Sequence, residues 1–341
     1  MNKTVLVFNY KKINRYSIAA LIGSLEIDNR FNNLNIRLVK DREDFPQVLS
    51  NLISNFQKII VAFSFMTPEA FNMHNLIQKL KSKKSNNVIF VAGGSHPSGD
   101  FKGTLKMGFD IVIIGEGEKT FPELLFRIMN NQTYTDIKGI AYKKDEKVIF
   151  TGPDEPINLD LYPPFAEKHK LFSPIEITRG CTFGCKFCQT TFLFKGIRHR
   201  SVPNVCKYVK IMMSEKLTDI RFITPNAFSY GSSDGKKLNL EAIENLLKSI
   251  RDIIKNKGRI FFGTFPSEVR PEFVNEETIR LIKTYTNNDN LVIGAQSGSP
   301  RILKECKRGH TIDDIYKAVE LTLEAGLKVN VDFIFGLKTY L

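Results

Sequence analysis

Three cysteines, Cys181, Cys185 and Cys188, lie within eight residues and are the side chains of this chain best suited to chemistry. They follow a short strand-like run at 174–178, so we expect them on a loop at the end of a strand. Three thiolates on one loop can each bind one iron of a four-iron, four-sulfur cluster, which leaves the fourth iron without a protein ligand. Such an open iron can bind and activate another molecule.

Two other interpretations of this loop stay open. One is a structural zinc site of the Cys3His type completed by His199, and the other is three unrelated buried thiols. Zinc loops usually combine one cysteine pair with a second, distant pair, and the sequence contains no second pair. Cys206 and Cys306 stand alone in stretches of helical character, and we interpret both as small apolar side chains. The spacing therefore favours the iron–sulfur cluster.

The string from Arg179 to Cys188 resembles the signature of the radical S-adenosylmethionine (radical SAM) enzymes. It has the spacing C-x3-C-x2-C, with Phe187 directly before the last cysteine. The resemblance implies a [4Fe-4S] cluster whose fourth iron binds the amino and carboxylate groups of SAM. It further implies reductive cleavage of SAM to a 5′-deoxyadenosyl radical, an external electron donor of the ferredoxin or flavodoxin type, and a small-molecule or cofactor-like substrate.

The length and the charge of the chain indicate its number of domains and the kind of surface it has. The 341 residues fit two domains, and the net charge is +13. Lys and Arg outnumber Asp and Glu by 21 to 14 in residues 1–150 and by 28 to 22 in the remainder, with no run of five like charges. This even distribution favours a generally basic surface over a nucleic-acid groove.

The sequence also bears on the cellular compartment. It shows no N-terminal signal-like stretch, no run of 18 apolar residues and no pairing pattern among its five cysteines. We therefore expect a cytoplasmic protein without a membrane span.

Residues 1–150 alternate between strand and helix patterns and form the first predicted domain. Short apolar runs predict strands at 5–8, 36–39, 59–63, 88–92 and 111–114, and the spacing between them predicts helices at about 15–28, 42–56, 68–82 and 118–130. Such units predict an α/β fold with a doubly wound parallel sheet, in which ligands bind at the carboxyl ends of the strands. Residues 137–150 predict a β-hairpin that ends the domain.

Two glycine-containing loops follow the fourth and fifth predicted strands. They begin at Gly93-Gly94 and at Gly115-Glu-Gly117. Glycine lets the backbone approach a ligand closely, and N–H groups at a helix start can hold a polar or anionic group. Together with the three-cysteine loop, these loops resemble the N-terminal cobalamin (B12)-binding-type, Rossmann-like domain of one branch of the radical SAM family. The resemblance implies that Gly93, Gly94, Gly115 and Gly117 contact cobalamin.

The resemblance to cobalamin domains has one departure. Domains in which a histidine binds cobalt carry D-x-H-x-x-G after the first strand, and the corresponding residues 9–14 contain no histidine. His96 precedes Gly99 in an H-x-x-G order, but it follows the fourth strand and lacks the aspartate. If cobalamin binds, we expect no protein histidine on its cobalt. A retained fold that binds no cobalamin is the alternative.

Residues 151–172 contain four prolines and predict a linker, and the second domain spans 173–341. Strands are predicted at 174–178, 220–224, 259–263, 291–295 and 328–335, with helices from about 203 and at 239–256, 276–286 and 312–325. These units predict a partial β/α barrel, whose active sites gather at the rim formed by the carboxyl ends of the strands. The resemblance implies six units, so we expect a barrel truncated after its fifth strand. Lys338 stands where relatives place the proline of a Gly-Leu-Pro-Gly turn.

One string at the predicted rim resembles a known SAM-binding motif. Residues 294–299 resemble G-x-E-S-G-S, with glutamine in place of the glutamate. The resemblance implies that Gln296, Ser297 and Gly298 contact SAM, because an amide can also bond to ribose hydroxyls. A glycine-rich turn that caps a helix is the alternative.

Two further rim positions are candidates for SAM contacts. Asn226, after the second strand, could offer its amide oxygen to the SAM ammonium group or form an Asx turn. Arg198 or Arg200, after the cysteine loop, could bind the SAM carboxylate or an acidic substrate. Ser201 suits the cap of the next helix, which gives this string an equally good structural interpretation.

The predicted function follows from the family resemblance. It is reductive cleavage of SAM and hydrogen abstraction from an unactivated carbon, with methyl transfer through cobalamin as a further step. The first 180 residues contain no cysteine, which argues against the methylthiolating branch with its second cluster. The alternatives are a cobalamin-independent radical SAM rearrangement or oxidation, and a non-catalytic iron–sulfur or zinc-binding module.

Overall fold

The computed structural model describes residues 2–337, so Lys338 and the turn predicted around it lie outside the described residues. The chain divides into two compact units. The N-terminal unit runs to Ile157 and also includes Leu161–Ser173. The C-terminal unit comprises Asn158–Asp160 and the chain from Pro174 onward.

The N-terminal unit is built on a seven-stranded sheet with helices on both faces. Its strands are β1 (Asn2–Tyr10), β2 (Asn35–Lys40), β3 (Phe56–Ser64), β4 (Val88–Gly93), β5 (Ile111–Ile113), β6 (Ile140–Lys144) and β7 (Lys147–Phe150). Its helices are α1 (Arg15–Glu26), α2 (Phe45–Ile53), α3 (Ala70–Lys81), α4 (Ser95–Gly99), α5 (Phe101–Met107) and α6 (Gly117–Met129), with short 3-10 helices at Asn29–Phe31 and Thr67–Glu69.

The strand order is β2-β1-β3-β4-β5-β6-β7, and neighbouring strands from β2 to β5 are parallel. The predicted doubly wound parallel sheet is therefore confirmed. The predicted hairpin forms β6 and β7, which extend the same sheet in antiparallel fashion. The central strands are continuous apolar runs because both faces are covered: Phe63 and Phe90 are buried on one face, and Phe8 and Phe121 on the other.

Two short helices between β4 and β5 were not predicted. Pro97, Gly99, Gly103 and Gly108 interrupt the apolar periodicity of this stretch. Local capping stabilises α5 instead, because the Asp100 carboxylate accepts a hydrogen bond from the Gly103 N–H at 2.8 Å. Such a cap has no periodic signature.

The proline-rich stretch predicted as a linker is packed. Phe165 and Ala166 are buried, and a Cβ on Gly23 of α1 would lie 2.6 Å from the Phe165 carbonyl oxygen. Most of this stretch belongs to the N-terminal unit. The prolines limit regular structure to short pieces such as the 3-10 helix at Leu159–Leu161, but apolar side chains in this stretch are still buried.

The C-terminal unit consists of β/α repeats. Its strands are β8 (Ile175–Glu176), β9 (Thr178–Arg179), β10 (Arg198–His199), β11 (Asp219–Ile223), β12 (Arg259–Phe261), β13 (Asn290–Gln296) and β14 (Lys328–Phe333). Its helices are α7 (Thr190–Leu193), α8 (Val202–Ser214), α9 (Leu240–Ile254), α10 (Glu276–Tyr285), α11 (Pro300–Glu305) and α12 (Ile312–Glu324), with 3-10 helices at Leu159–Leu161, Ala227–Ser229 and Pro271–Phe273.

The predicted barrel strands pair with one another in parallel. β8 pairs with β11, β11 with β12, and β13 with β14. The segment after β12 lies beside β13, since Val269 forms a parallel bridge with Ile293 and the Val292 N–H donates to the Gly263 carbonyl at 3.0 Å. The carboxyl ends of these strands therefore gather the loops that carry the candidate site.

Among the helices of residues 2–337, none combines the length and the apolar character needed to span a bilayer.

Candidate functional site

The three-cysteine loop connects β9 to α7 and is held in place by close backbone packing and by hydrogen bonds. A Cβ on Gly180, whose φ is +84°, would lie 2.0 Å from the Gly196 carbonyl oxygen, so only glycine fits there. The Lys186 N–H donates to the Cys306 carbonyl at 2.9 Å, and the Thr182 hydroxyl donates to the Asp234 carbonyl at 2.6 Å. The loop is thus fixed to two other rim segments of the same unit.

The three thiols differ in their surroundings. Cys185 is 3% exposed, whereas Cys181 and Cys188 are half-buried. Burial raises the pKa of the Cys181 thiol, and the Phe183 N–H and the Arg270 charge oppose this rise. The Cys185 sulfur lies 3.8 Å from Nη1 of Arg270 and 3.8 Å from Nη1 of Arg308, and both nitrogens donate to it.

Two guanidinium groups on one sulfur create a site for an anion. A thiol is a weak acceptor, whereas a thiolate bound to iron accepts charge-assisted hydrogen bonds. A cube with a core charge of about +2 and three thiolate ligands carries a net negative charge, which these cations would balance. The residues present therefore fit an iron–sulfur cluster.

The zinc alternative depended on His199 as the fourth ligand. The imidazole Nε2 donates to the Ser232 carbonyl at 2.9 Å, and Nδ1 accepts from the Thr178 hydroxyl at 2.9 Å. Both ring nitrogens are thus engaged in hydrogen bonds, which leaves neither for a metal. Within residues 2–337, no three His, Cys, Asp or Glu side chains are grouped closely enough to surround a single metal ion.

Arg270 is held rigidly behind the loop. It is 2% exposed, and its guanidinium lies 3.5 Å above the Phe183 ring. Its Nε donates to the Glu272 carboxylate at 2.6 Å, and its Nη2 donates to the Arg308 carbonyl. With Nη1 on Cys185, all three nitrogens of this side chain have acceptors, so the orientation of the guanidinium is fixed.

Arg308 approaches the same sulfur from the segment after α11. It is 5% exposed, and its Nη2 donates to the Gly294 carbonyl at 2.7 Å. Its nearest carboxylate is Glu268, at 3.7 Å. Burial raises the pKa of Glu268, and the Arg308 charge opposes that rise.

His310 and Glu272 form a buried contact next to the arginines. The His310 Nε2–H donates to the Ala295 carbonyl at 3.0 Å, and Nδ1 lies 3.6 Å from the Glu272 carboxylate. Burial first, and then the charges of Arg308 and Arg270, lower the pKa of His310 to about 4. The imidazole is therefore neutral at pH 7.

We call this charged group the rim cluster: Glu268, Arg270, Glu272, Arg308 and His310. None of these residues was predicted from the sequence as part of the site. A signal was present, since Glu268, Arg270 and Glu272 lie in the loop five to nine residues after the predicted strand 259–263. Arg308 and His310 lie in a connection whose packing no local pattern specifies.

The predicted SAM motif lies at the end of β13. Gln296 has a φ of +69° and is 6% exposed, and its amide Nε2 donates to Glu268 at 3.5 Å. A non-glycine residue in this conformation is uncommon and often marks a functional site. Ser299 caps α11, and the Ser297 hydroxyl accepts from the Ser299 N–H at 3.2 Å, so the turn also has the helix-capping role left open above.

Gly298 lies in open space at this turn. A Cβ built on it would meet nothing within 4 Å, and the residue is exposed. Gly294 is different, because its Cβ would lie 2.8 Å from Nη2 of Arg308 and 2.8 Å from the Glu268 carboxyl carbon. Gly298 is thus the glycine of this motif that leaves room for a ligand.

Asn226 is buried at the rim, but not in an Asx turn. Its amide oxygen accepts from the Arg270 backbone N–H at 3.2 Å, which fixes the amide orientation. The amide Nδ2 is buried without a hydrogen-bond partner among the described residues. A ligand beside Asn226 would therefore contact the Nδ2 donor, because the oxygen predicted as the acceptor already has a partner.

Arg200 takes a structural position. It is 2% exposed, its Nε donates to the Glu176 carbonyl at 2.9 Å, and its Nη1 donates to the Leu159 carbonyl and the Asn204 amide oxygen, each at 2.7 Å. These bonds give Arg200 a role in packing against β8 in place of the expected contact with SAM. Ser201 caps α8 as predicted, accepting from the Asn204 N–H. Arg198 lies in the β9–β10 ribbon, paired with Arg179.

In the N-terminal unit, the predicted glycines lie at neighbouring strand ends. Gly93 ends β4, Gly94 follows it with a φ of +98°, and Gly117 begins α6. The Gly115 N–H donates to the Ser98 hydroxyl at 3.0 Å, which ties the two glycine loops together. Glycine is required at Gly94, where a Cβ would lie 3.0 Å from backbone atoms of Phe65.

Two family descriptions match this chain in consecutive regions. Residues 15–125 match the B12 binding domain, and residues 175–340 match the radical SAM superfamily. The second match contains all three cysteines of the loop and the rim cluster.

Residues 175–340 form a domain of the radical SAM superfamily. The B12-binding domain precedes this radical SAM domain, as the sequence predicted, and the predicted [4Fe-4S], SAM and cobalamin cofactors are those of these two domain families.

Several sequence relatives come from archaea. One, from Methanocaldococcus jannaschii, has a name that places it provisionally among the methylthiotransferases; it is 29% identical over 76% of this chain and 56% of its own length. An uncharacterized methyltransferase of Pyrococcus horikoshii is 29% identical over 84% of this chain and 62% of its own length. The chain thus spans less than two thirds of the length of these curated relatives.

A solved structure shares the fold. The radical S-adenosylmethionine methyltransferase TsrM of Kitasatospora setae, with cobalamin and a [4Fe-4S] cluster bound, matches with a TM-score of 0.74 and 15% identity. The match covers 98% of this chain and 67% of TsrM. At this identity it supports the predicted α/β architecture of both domains.

Proposed function

We propose that this chain binds a [4Fe-4S] cluster through Cys181, Cys185 and Cys188 and uses it to cleave SAM reductively. A cluster held by these cysteines would supply the single electron that reductive cleavage of SAM to methionine and a 5′-deoxyadenosyl radical requires. Hydrogen abstraction by such a radical would suit an unactivated carbon of the substrate, which has no proton acidic enough for a side-chain base. The electron comes from an external donor of the ferredoxin or flavodoxin type.

The observation that carries this proposal is the environment of Cys185. Its sulfur accepts hydrogen bonds from two buried guanidinium groups, each at 3.8 Å. Burying two cations is costly unless they face anions, and Glu272 at 2.6 Å pairs with Arg270, whereas the nearest carboxylate to Arg308 is 3.7 Å away. A structural cysteine of an apolar core would not need them, whereas a cluster thiolate would.

We place SAM against the cysteine loop and the turn at Gln296, Ser297 and Gly298. The open space at Gly298 and the left-handed backbone of Gln296 support this position. The Glu268 carboxylate, Gln296 amide and Asn226 Nδ2 offer an acceptor and two donors at the same rim. These groups would orient the adenosyl part while the cysteines hold the cluster.

We propose cobalamin-dependent methyl transfer as the reaction type, with a small-molecule or cofactor-like substrate. The B12-binding domain supports cobalamin as the cofactor. The glycine loops after β4 and β5 support a site at the carboxyl ends of these strands, where ligands bind in sheets of this kind. Without cobalamin, the same radical chemistry would support a rearrangement or an oxidation.

The proposal is tested by anaerobic purification and reconstitution, followed by iron, sulfide, zinc and cobalamin analysis. We expect about four irons per chain. We also expect 5′-deoxyadenosine when SAM and dithionite are added. Cys185→Ala should lose most of the iron, because two thiolates hold a cube poorly.

Cys306→Ala is the matched control. Cys306 is also buried, but it contributes its backbone carbonyl to the loop, which alanine keeps. It should retain wild-type iron. Stoichiometric zinc without iron in anaerobic material would contradict the proposal. Iron without formation of 5′-deoxyadenosine would favour the alternative of a non-catalytic iron–sulfur module.

A further inference from the structure

We propose that Arg308 is a positioning residue that raises the reduction potential of the cluster through its hydrogen bond to the Cys185 sulfur. This inference rests on the proposed function, since it requires Cys185 to be a cluster ligand. It assigns a role to a residue outside the cysteine loop and outside the SAM motif. A change in the reduction potential of the cluster distinguishes this role from that of a residue that only stabilises the fold.

The two arginines on Cys185 are not equivalent. Arg270 is balanced by Glu272, whose carboxylate lies 2.6 Å from its Nε. The nearest carboxylate to Arg308 is 3.7 Å away, and its Nε is buried without a hydrogen-bond partner among the described residues. Arg308 therefore brings the less compensated positive charge to the sulfur.

The contacts of Arg308 also fix where that charge lies. Its Nη2 donates to the Gly294 carbonyl at 2.7 Å, while Nη1 points at Cys185. Two residues earlier, the Cys306 carbonyl accepts from the Lys186 N–H of the cysteine loop at 2.9 Å. One short segment thus touches the loop twice, once through its backbone and once through the guanidinium.

The sign of the effect follows from electrostatics. Reduction adds one negative charge to the cluster and its thiolates. A hydrogen bond from a cation to a ligand sulfur stabilises the reduced state more than the oxidised state, and a buried site screens this effect little. Removing the cation should therefore shift the midpoint potential to a more negative value.

The test uses the full chain, reconstituted anaerobically, as wild type, Arg308→Gln and Arg308→Lys. Iron content is measured first, and the midpoint potential is then measured by a redox titration followed by electron paramagnetic resonance. We expect Arg308→Gln to retain the cluster with a more negative potential. Arg308→Lys should shift in the same direction by less, because lysine keeps the charge but not the planar pair of donors.

Arg301→Gln is the matched control for loss of one positive charge. Arg301 is exposed on α11 and pairs with Glu305 at 2.8 Å. Its variant should keep the wild-type potential. If Arg308→Gln loses its cluster, the potential of Arg308→Lys decides the question.

The outcomes separate this inference from the proposed function. A wild-type protein without iron overturns both. A full cluster with an unchanged potential in Arg308→Gln, or in Arg308→Lys where that variant decides, overturns the role of Arg308 and leaves the proposed function intact.

Discussion

At the scale of single residues, this site shows how neighbours decide what a side chain can do. Cys185 and Cys306 are both buried cysteines of the same unit. Cys185 faces two guanidinium groups, whereas Cys306 takes part in the loop through its carbonyl oxygen. The difference in function that we propose for them therefore comes from charge and hydrogen bonding, since their burial is similar.

Gly298→Val tests the position of SAM at the residue scale. The fold should tolerate valine, because a Cβ at Gly298 meets no atom within 4 Å. If the adenosyl part lies against this turn, the branched side chain should weaken SAM binding about tenfold or more, which is about 1.4 kcal/mol. Calorimetry on the reconstituted protein measures this change.

Gly298→Ala gives the graded comparison, and its loss of affinity should be smaller. Both variants should contain wild-type iron. Undiminished SAM affinity in Gly298→Val would show that the adenosyl pocket lies elsewhere.

At the scale of elements, the rim is assembled by strand ends and connections. β13 ends in an irregular register between Ile293 and Gln296, and Gln296 at this irregularity has a left-handed conformation. The segment between β12 and α10 adds Glu268, Arg270 and Glu272, and the connection between α11 and α12 adds Arg308 and His310. The helices contribute stability on the outside of this arrangement through apolar faces such as Ile243, Leu246 and Ile250 of α9.

The buried histidine of this rim predicts a pH dependence of stability. The pKa of His310 is about 4 in the folded chain, against an ordinary value of 6.5. Between these values the unfolded chain binds a proton that the folded chain does not bind. The free energy of unfolding contributed by His310 is therefore complete above pH 6.5 and declines as the pH falls towards 4.

His310→Gln isolates this contribution. Urea unfolding of the iron-free full chain at pH 7 and pH 5, followed by circular dichroism, should show a smaller pH effect in the variant than in the wild type. Identical pH dependence in the two proteins would contradict a depressed histidine pKa.

At the scale of the whole molecule, the chain joins a B12-binding domain to a radical SAM domain. Each domain is an α/β structure, and the residues proposed to bind its cofactor lie in loops at the carboxyl ends of its parallel strands. We therefore expect that binding of cobalamin and binding of SAM can each be measured by itself.

Cobalamin binding is predicted to occur without a histidine on cobalt. His96 is the residue to test, because its Nε2 is buried without a partner among the described residues, while its ring contacts Phe65 and its Nδ1 bonds to the Thr67 hydroxyl at 3.2 Å. We expect the Co(II) electron paramagnetic resonance spectrum of bound cobalamin to lack nitrogen splitting. The spectrum should be unchanged in His96→Ala.

Nitrogen splitting that disappears in His96→Ala would refute the histidine-free model. Absence of cobalamin binding by the reconstituted wild type would favour the alternative of a retained fold without the cofactor.

The sequence by itself determined the parts of this protein that depend on local pattern. Apolar runs of strand length predicted β1 and β3 to β5, because a parallel strand buried on both faces must be apolar along its length. The spacing of Cys181, Cys185 and Cys188 predicted the cluster loop, since three ligands to one cluster must be close along a short loop. Ser201 was likewise recognisable as a helix cap.

Tertiary structure decided what lies around those elements. Arg270 and Arg308 reach one sulfur from connections 38 residues apart, as their contact shows, and nothing in either local sequence specifies that approach. Arg200 has the charge expected of a carboxylate-binding residue, but the carbonyls of Leu159 and Glu176 occupy its donors. Charge and spacing identify which residues can bind a ligand, and only the packing of distant segments determines which of them still have donors free to do so.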